Sequence, residues 1–347
     1  MNRSVKSLHA AACAMLAAAA LNAYAQVDAG APVLVTVDNF ARAESDRYFG
    51  FTVQRGGFGK FAHFRELVPV GSQTVVRPNR DTLYSTAVFD LEAGPVTVTM
   101  PDAGRRFMSL AVLDEDSHVL GVLYGAGSHT FTRQNVGTRY VMLGVRTLID
   151  PGKTEDAKQA WALQDAIRVS QPDGPGRFDV PKWDKASQDA LRKMLIALGT
   201  TIPDSRRMFG KSGQVEPVRH LIGSAIAWGG LPEKDAFYQI VTPERNDGTT
   251  NYRLDLPTVP VGAFWSVSVY DASGHFHRNA LGAYSINSLT AKAGADGVVS
   301  IRFGDCGRDA ANCLPIMPGW NYMVRYYLPQ PEVLQGTWKL PPPRPVS

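Results

Sequence analysis

The spacing of hydrophobic positions changes period twice along the chain. From Thr82 to about Asp150 the apolar residues fall in short runs, TLYSTAVFDL, PVTVTM, RFMSLAVLDED, HVLGVLYG, HTFTR and TRYVMLGVRTL, with Gly94-Pro95, Asp102 to Gly104, Gly125 to Gly127 and Gly137 at the corners. Runs of that length between turn residues predict an antiparallel sheet folded on itself. After Asp150-Pro151-Gly152 the spacing becomes helical. Ala160, Leu163 and Ile167 line one helix, and Leu191, Met194, Leu195 and Leu198 line a second that Asp184 is placed to cap and Gly199 to end. A third helix is predicted from Pro217 to Trp228, stopped by Gly229-Gly230. From Asn251 strands return as YRLDL, AFWSVSVYD, HFHRNALG, YSIN, VVSIRFG and YMVRYYL. In the second of these, Trp265, Val267 and Val269 alternate against Phe264, Ser266, Ser268 and Tyr270, so one face is core and the other more polar. Asp271 to Gly274 reads as a hairpin turn. The fold class this predicts is α+β. Two β-rich, sandwich-like, mainly antiparallel domains occupy 26–150 and 236–347, with a helical segment, 151–235, between them.

The chain's start follows a different pattern. Arg3 and Lys6 precede the apolar run AACAMLAAAALNA, and Ala23-Tyr24-Ala25 supplies small residues before Gln26, so residues 1–25 read as a secretory signal peptide cleaved near Ala25. The expected location is periplasmic or secreted. That run is too short to remain as a membrane span, and no other stretch is long enough. Val35 to Tyr48 then reads as a short strand and a helix opening near Asp38. The tail after Trp338 is proline-rich and reads as extended over the surface.

Composition sharpens this picture at two points. Arg3 and Lys6 are the charged residues of the leader, so its removal lowers the net charge from +4 to +2, which leaves no electrostatic footprint for nucleic acid. Cys306 and Cys313 are the cysteines that remain, and an oxidising compartment predicts a disulfide between them. No nucleotide P-loop, dinucleotide fingerprint, Gly-x-Ser-x-Gly elbow or Ser-x-x-Lys pair is present, which disfavours nucleotide chemistry and nucleophilic hydrolysis. No cofactor is implied.

Candidate chemistry gathers at RPNRDTLYSTAVFDL, residues 77–91, where Asn79, Arg80 and Asp81 crowd the mouth of a buried strand and Tyr84 follows. Loops held by a rigid sheet are where sites are built. The alternative is an Asx turn in which Asp81 caps its own backbone. Arg219 and His220 lie in the first turn of the third helix, off its apolar stripe, as a candidate anion clamp and general base. Trp265, Tyr284 and Trp320 are the aromatics a second-domain wall would supply. Asp114, Asp116 and His118 share a face if the strand persists, and His275 and His277 share another, but neither set has the ligands for a committed metal site.

VRPNRDTLYSTAVFDL in the first half, and AFWSVSVYDASGHFHRN, AYSIN, DGVVSIRFG and PEVLQGTWKLPPP in the second, resemble a bacterial family built from two tandem domains of unknown function, numbered 1254 and 1214. The resemblance implies β-rich domains with helices between or around them, in a family where export is common, and it implies no reaction. Asn312-Cys313-Leu314-Pro315 stands where many relatives carry Asn-Trp-Leu-Pro, so half of the expected disulfide replaces an aromatic. Three functions stay open. One is acid–base or hydrolytic chemistry on a small polar or anionic molecule in an inter-domain pocket, with Asp81 or His220 moving the proton and Arg80 or Arg219 holding the anion. The others are non-catalytic binding of a small acid or carbohydrate, and an envelope protein working through partner surfaces, including a second copy of itself.

Overall fold

A computed structural model describes residues 30–73, 75–307 and 311–346; the expected signal peptide lies outside them. The first half comprises α1 (Phe40–Gln54), β1 (Ala62–His63), β2 (Thr82–Asp90), β3 (Val96–Met100), β4 (Met108–Leu113), β5 (Val119–Tyr124), β6 (Gly127–Phe131), α2 (Arg133–Val136), β7 (Tyr140–Leu148), α3 (Thr154–Asp165) and β8 (Arg168–Ser170). The strands form two sheets, β1-β2-β7-β4-β5 and β6-β3-β8. β2 and β7 pair antiparallel over nine residues, from Thr82 opposite Leu148 to Asp90 opposite Tyr140. Because side chains alternate, Ala87, Phe89, Val141, Leu143, Val145, Leu110 and Val112 fall on one face and pack with Val96 and Val98 of the smaller sheet.

The connecting segment carries α4 (Lys185–Gly199) and α5 (Pro217–Ile226). Asp184 caps α4 as its sequence position predicts, its carboxylate accepting from the Ser187 N–H at 2.9 Å. The second half comprises β9 (Ala236–Val241), β10 (Tyr252–Leu256), β11 (Trp265–Tyr270), β12 (Ser285–Asn287), β13 (Val299–Phe303), β14 (Cys313–Leu314), β15 (Asn321–Tyr327), α6 (Pro331–Gln335) and β16 (Arg344–Pro345). Two further sheets, β14-β13-β10-β16 and β12-β11-β15-β9, face each other over Leu254, Ile301, Phe303, Val267, Val324, Trp320 and Tyr326. The fold is α+β, with two β-rich and mainly antiparallel domains joined through a helical segment. Cys306 and Cys313 are disulfide-bonded.

Several local expectations change. The strand before Asp114 stops at Leu113, and the chain turns with Ser117 at φ 65°. Asp114 Oδ1 accepts from the backbone N–H groups of Asp116 and His118, so the acids and the histidine close an Asx-type turn instead of lining one strand face. HFHRNALG forms no strand, because Asn279 Oδ1 accepts from the N–H groups of Leu281 and Ala283 and closes a loop there. The tail does not simply run over the surface: Arg344–Pro345 adds an edge strand beside β10. α1 runs on to Gln54, since Phe49 faces a buried cluster and Thr52 is buried beside it.

What positions the site is the second face of two sheets. The face of the larger N-terminal sheet opposite its core carries Tyr84, Thr86 and Val88 from β2, Met142, Gly144 and Arg146 from β7, and Ala111 and Leu113 from β4. The face of the β9-containing sheet opposite its own core carries Tyr238, Ser268, Tyr270, Met323, Arg325 and Tyr327. Every residue of β11 and β15 is buried, which is the signature of strands covered on both faces. Phe49, Val88, Met142, Met208, Phe209, Leu231, Phe264 and Tyr327 form one apolar cluster that spans both domains and the connecting segment.

Candidate functional site

The loop before β2 is the hinge between these faces. Asn79 Oδ1 accepts from the Asp81 N–H at 2.7 Å, the turn expected of an Asx residue, while Asn79 Nδ2 donates to the Tyr327 hydroxyl across the domain boundary at 3.0 Å. Asp81 is fully buried, and its Oδ1 accepts from Ser285 Oγ and Asn287 Nδ2 of β12, both at 3.1 Å. Its Oδ2 has no partner among the described residues. Arg77 sits at φ 50°, a left-handed conformation that non-glycine residues seldom adopt. The Asp271–Gly274 turn holds it there, Gly274 accepting from the Arg77 N–H at 2.7 Å.

Above this loop is a cavity of about 220 Å³. Five arginines reach its lining: Arg47 and Arg192 pair with Glu44, whereas among the described residues Arg77, Arg146 and Arg325 form no ion pair with a carboxylate. Arg325 donates to Ser268 Oγ (3.0 Å), to the carbonyls of Arg77 (2.9 Å) and Pro78 (3.2 Å), and to the Tyr270 hydroxyl (2.6 Å). Arg146 donates to the Gly229 carbonyl at 2.8 Å and lies over the Tyr84 ring at 5.5 Å. Arg77 contacts Asn321 Oδ1 at 3.4 Å, and its Nε is a buried donor without a partner. Burial lowers the Arg77 guanidinium from its ordinary value. Tyr84, Tyr238 and Tyr327 complete the polar wall. Burial pushes the phenols of Tyr238, Tyr270 and Tyr327 upward, so at neutral pH these hydroxyls are uncharged and do not neutralise the guanidiniums. The cavity also borders Asp204, but Arg206 and Arg219 hold that carboxylate.

Among the residues singled out from sequence, Asn79 and Tyr84 line this cavity. Asp81 lies behind them in the domain interface. Arg80 turns away from it, donating to the Val68 carbonyl and lying 5.2 Å over the Tyr284 ring. Trp265 and Trp320 pack in the core between the C-terminal sheets, on the face away from the cavity. Arg219 donates to the Asp204 carboxylate at 2.8 Å. His220 is nearly buried, with Nδ1 3.0 Å from the Met208 carbonyl and Nε2 3.0 Å from the Asp116 carbonyl, and its ring stacks on His118 at 4.6 Å. His220 and Asp81 are therefore not brought together. Among the described residues no group of three or more His, Cys, Asp or Glu side chains is arranged to hold a metal ion.

Arg146, Arg325, Tyr238 and Tyr327 were not singled out from the sequence. The signal available was a charged residue inside an otherwise apolar strand: VMLGVRTL around Arg146 and YMVRYYL around Arg325. Lys and Arg seldom sit within buried strands unless something needs them.

Among solved structures, the chain is similar to the VPA0106 protein of Vibrio parahaemolyticus, at 18% identity and a TM-score of 0.67, over 90% of this chain and 98% of that one. It also aligns with a putative uncharacterized protein of Burkholderia cenocepacia, at 15% identity and a TM-score of 0.49, over 89% of this chain and 86% of that one. The first of these likenesses is one of fold. No curated protein matches the chain. Residues 58–141 match the family described as Protein of unknown function (DUF1254), and residues 241–331 match Protein of unknown function (DUF1214). Carrying one domain of each kind in that order, the chain belongs to the family that joins these two domains in tandem.

Proposed function

We propose that this is a small-molecule-binding protein of the cell envelope whose inter-domain cavity takes an organic anion. The observation that carries the reading is the set of three guanidiniums on one cavity with no carboxylate paired to any of them among the described residues. Desolvated charge without a partner is expensive, and the cavity's other two arginines have an acid: Arg47 and Arg192 both pair with Glu44. An anionic ligand supplies the missing charge, and neutral tyrosine hydroxyls and Asn79 supply hydrogen bonds that fix its orientation. The disulfide and the leader sequence support an exported setting. Acid–base chemistry through Asp81 and His220 draws less support, since His220 faces two carbonyls away from the cavity and Asp81 lies behind its wall.

Calorimetric titration of the purified protein with acetate, benzoate, succinate and inorganic phosphate tests the reading. At least one should bind, and Arg77→Met should weaken it tenfold or more. Silence across the panel, or equal binding by the variant, would overturn it.

A further inference from the structure

Resting on that reading, we infer that the ligand is an amphiphilic carboxylate, a charged head carrying an apolar body, and not a compact polar anion. A second, larger chamber of about 440 Å³ adjoins the arginine cavity. The two share Tyr48, Asn79, Tyr84, Arg146 and Trp228 as common wall. The larger chamber's floor is the sheet face of Thr86, Ala111, Leu113, Met142 and Gly144, with Phe51 and Phe64 over it. Besides the shared Arg146, its charged residues, Arg55 and Glu66, are exposed. The wall is thus mostly apolar, whereas the smaller chamber holds the guanidiniums.

Strand geometry fixes how a ligand would lie. Met142, Gly144 and Arg146 are alternate residues of β7 on one face, so about 13 Å of sheet separates Met142 from Arg146 at roughly 3.3 Å per residue. A carboxylate on Arg146 directs its chain along this strand over Gly144. That glycine lies in the middle of a nine-residue central strand, where glycine weakens pairing and often marks a close approach by a ligand. It does not occupy the left-handed region. A Cβ added there would meet nothing within 4 Å, so no protein neighbour requires the absence of a side chain. What the glycine preserves is open space in the chamber floor.

The test is a titration series of straight-chain carboxylates from acetate to octanoate on the wild type, Gly144→Leu and Gly144→Val. The wild type should gain up to about fourfold in affinity per methylene beyond butanoate, the ratio expected for burying each CH₂. Both variants should lose the gain with length, their deficit against the wild type widening from acetate to octanoate. The second variant, β-branched and suited to a strand, keeps the test intact if leucine disturbs folding. Wild-type affinity independent of length would overturn the amphiphile while leaving the anion site standing. Variants with the wild-type length dependence would overturn the placement over Gly144. No binding by any member would overturn both readings together.

Discussion

Arg146→Met separates binding from folding, because the structure assigns this guanidinium so little structural work. Among the described residues it donates to the Gly229 carbonyl, lies over the Tyr84 ring and has no ion pair. Methionine matches much of its length and is tolerant of irregular apolar surroundings. Losing the bond leaves one carbonyl to rehydrate at a cavity wall, a cost of about 1–2 kcal/mol. Removing an unpaired, desolvated charge returns a similar amount. The net change in stability is therefore expected within about 1 kcal/mol, or roughly 2 °C in Tm for a chain of this size. Binding should respond very differently. A hydrogen bond to a charged group contributes about 1.5–3 kcal/mol, so the anion should bind roughly 10- to 150-fold more weakly.

Calorimetric titration with the best carboxylate of the panel gives the affinity, and a thermal melt without ligand gives the stability. At a ligand concentration 100 times the wild-type Kd, the wild type should also gain about 2.7 kcal/mol of stability, most of which the variant should lack. A fall in Tm of about 8 °C or more together with unchanged affinity would refute the reasoning, since it would make Arg146 a structural residue.

Asp46 is buried beside Trp183, and burial raises its carboxyl to about 7. The native state therefore holds a proton there that the unfolded chain has released, so stability from this group is complete below pH 3.8 and is lost as pH rises through 7. Asp46→Asn should leave Tm near the wild-type value below pH 3.8 and raise it at pH 8; a variant less stable than the wild type at pH 8 would show that the charged form is the native one. Asp81→Asn should lower Tm by several degrees, because a buried carboxylate accepting from Ser285 and Asn287 becomes a neutral amide, worth roughly 1–2 kcal/mol. Anion affinity should hold or increase, as an acid that opposes ligand charge is gone; a large loss of binding with no loss of stability would put Asp81 in the site. Thiol titration of the unfolded, unreduced protein lacking residues 1–25 should find no free thiol, and reduction should lower stability by about 2.5 kcal/mol for so short a loop.

Much of the architecture was legible because it depends on local periodicity. The Asp184 cap of α4, the sandwich strands and the turn at Asp271–Gly274 all follow from residues near one another in sequence, whereas of the expected α4 stripe Leu195 is buried but Met194 and Leu198 are exposed. The arginines of the site were not legible for a specific reason. Alternation says that Arg146 and Arg325 point to the face opposite their core, and in a single domain that face is solvent. Here each domain's outer face is the other's cover, a fact that no local pattern contains. His220 shows the same limit from the helix side. It lies off the apolar stripe of α5, yet the β4–β5 turn brings the Asp116 carbonyl onto its Nε2. Trp265 and Trp320 err the other way, since large aromatics suit both a ligand wall and a sandwich core, and here they fill the core.

Arg325 explains why the cavity can keep its positive character without unfolding the interface around it. Its donors are engaged by neutral groups, a serine and a tyrosine hydroxyl on its own sheet and two carbonyls on the first domain's loop. Those bonds satisfy the guanidinium's hydrogen-bonding needs and leave its charge in place. Asp81 lies near enough to act on that charge, but its bonds go to Ser285 and Asn287, so it moderates the positive potential from behind the wall and does not cap it. Because the carbonyls of Arg77 and Pro78 come from one domain and the guanidinium from the other, the contact that joins the domains also sets the field of the cavity. Neither domain alone contains the site: the N-terminal sheet brings Arg146, Tyr84 and the open floor at Gly144, and the C-terminal sheet brings Arg325, Tyr327 and Tyr238. On the proposed reading, ligand binding and domain docking would be coupled through the same few side chains, and an anion that neutralised the guanidiniums would stabilise the interface by removing its largest uncompensated charge.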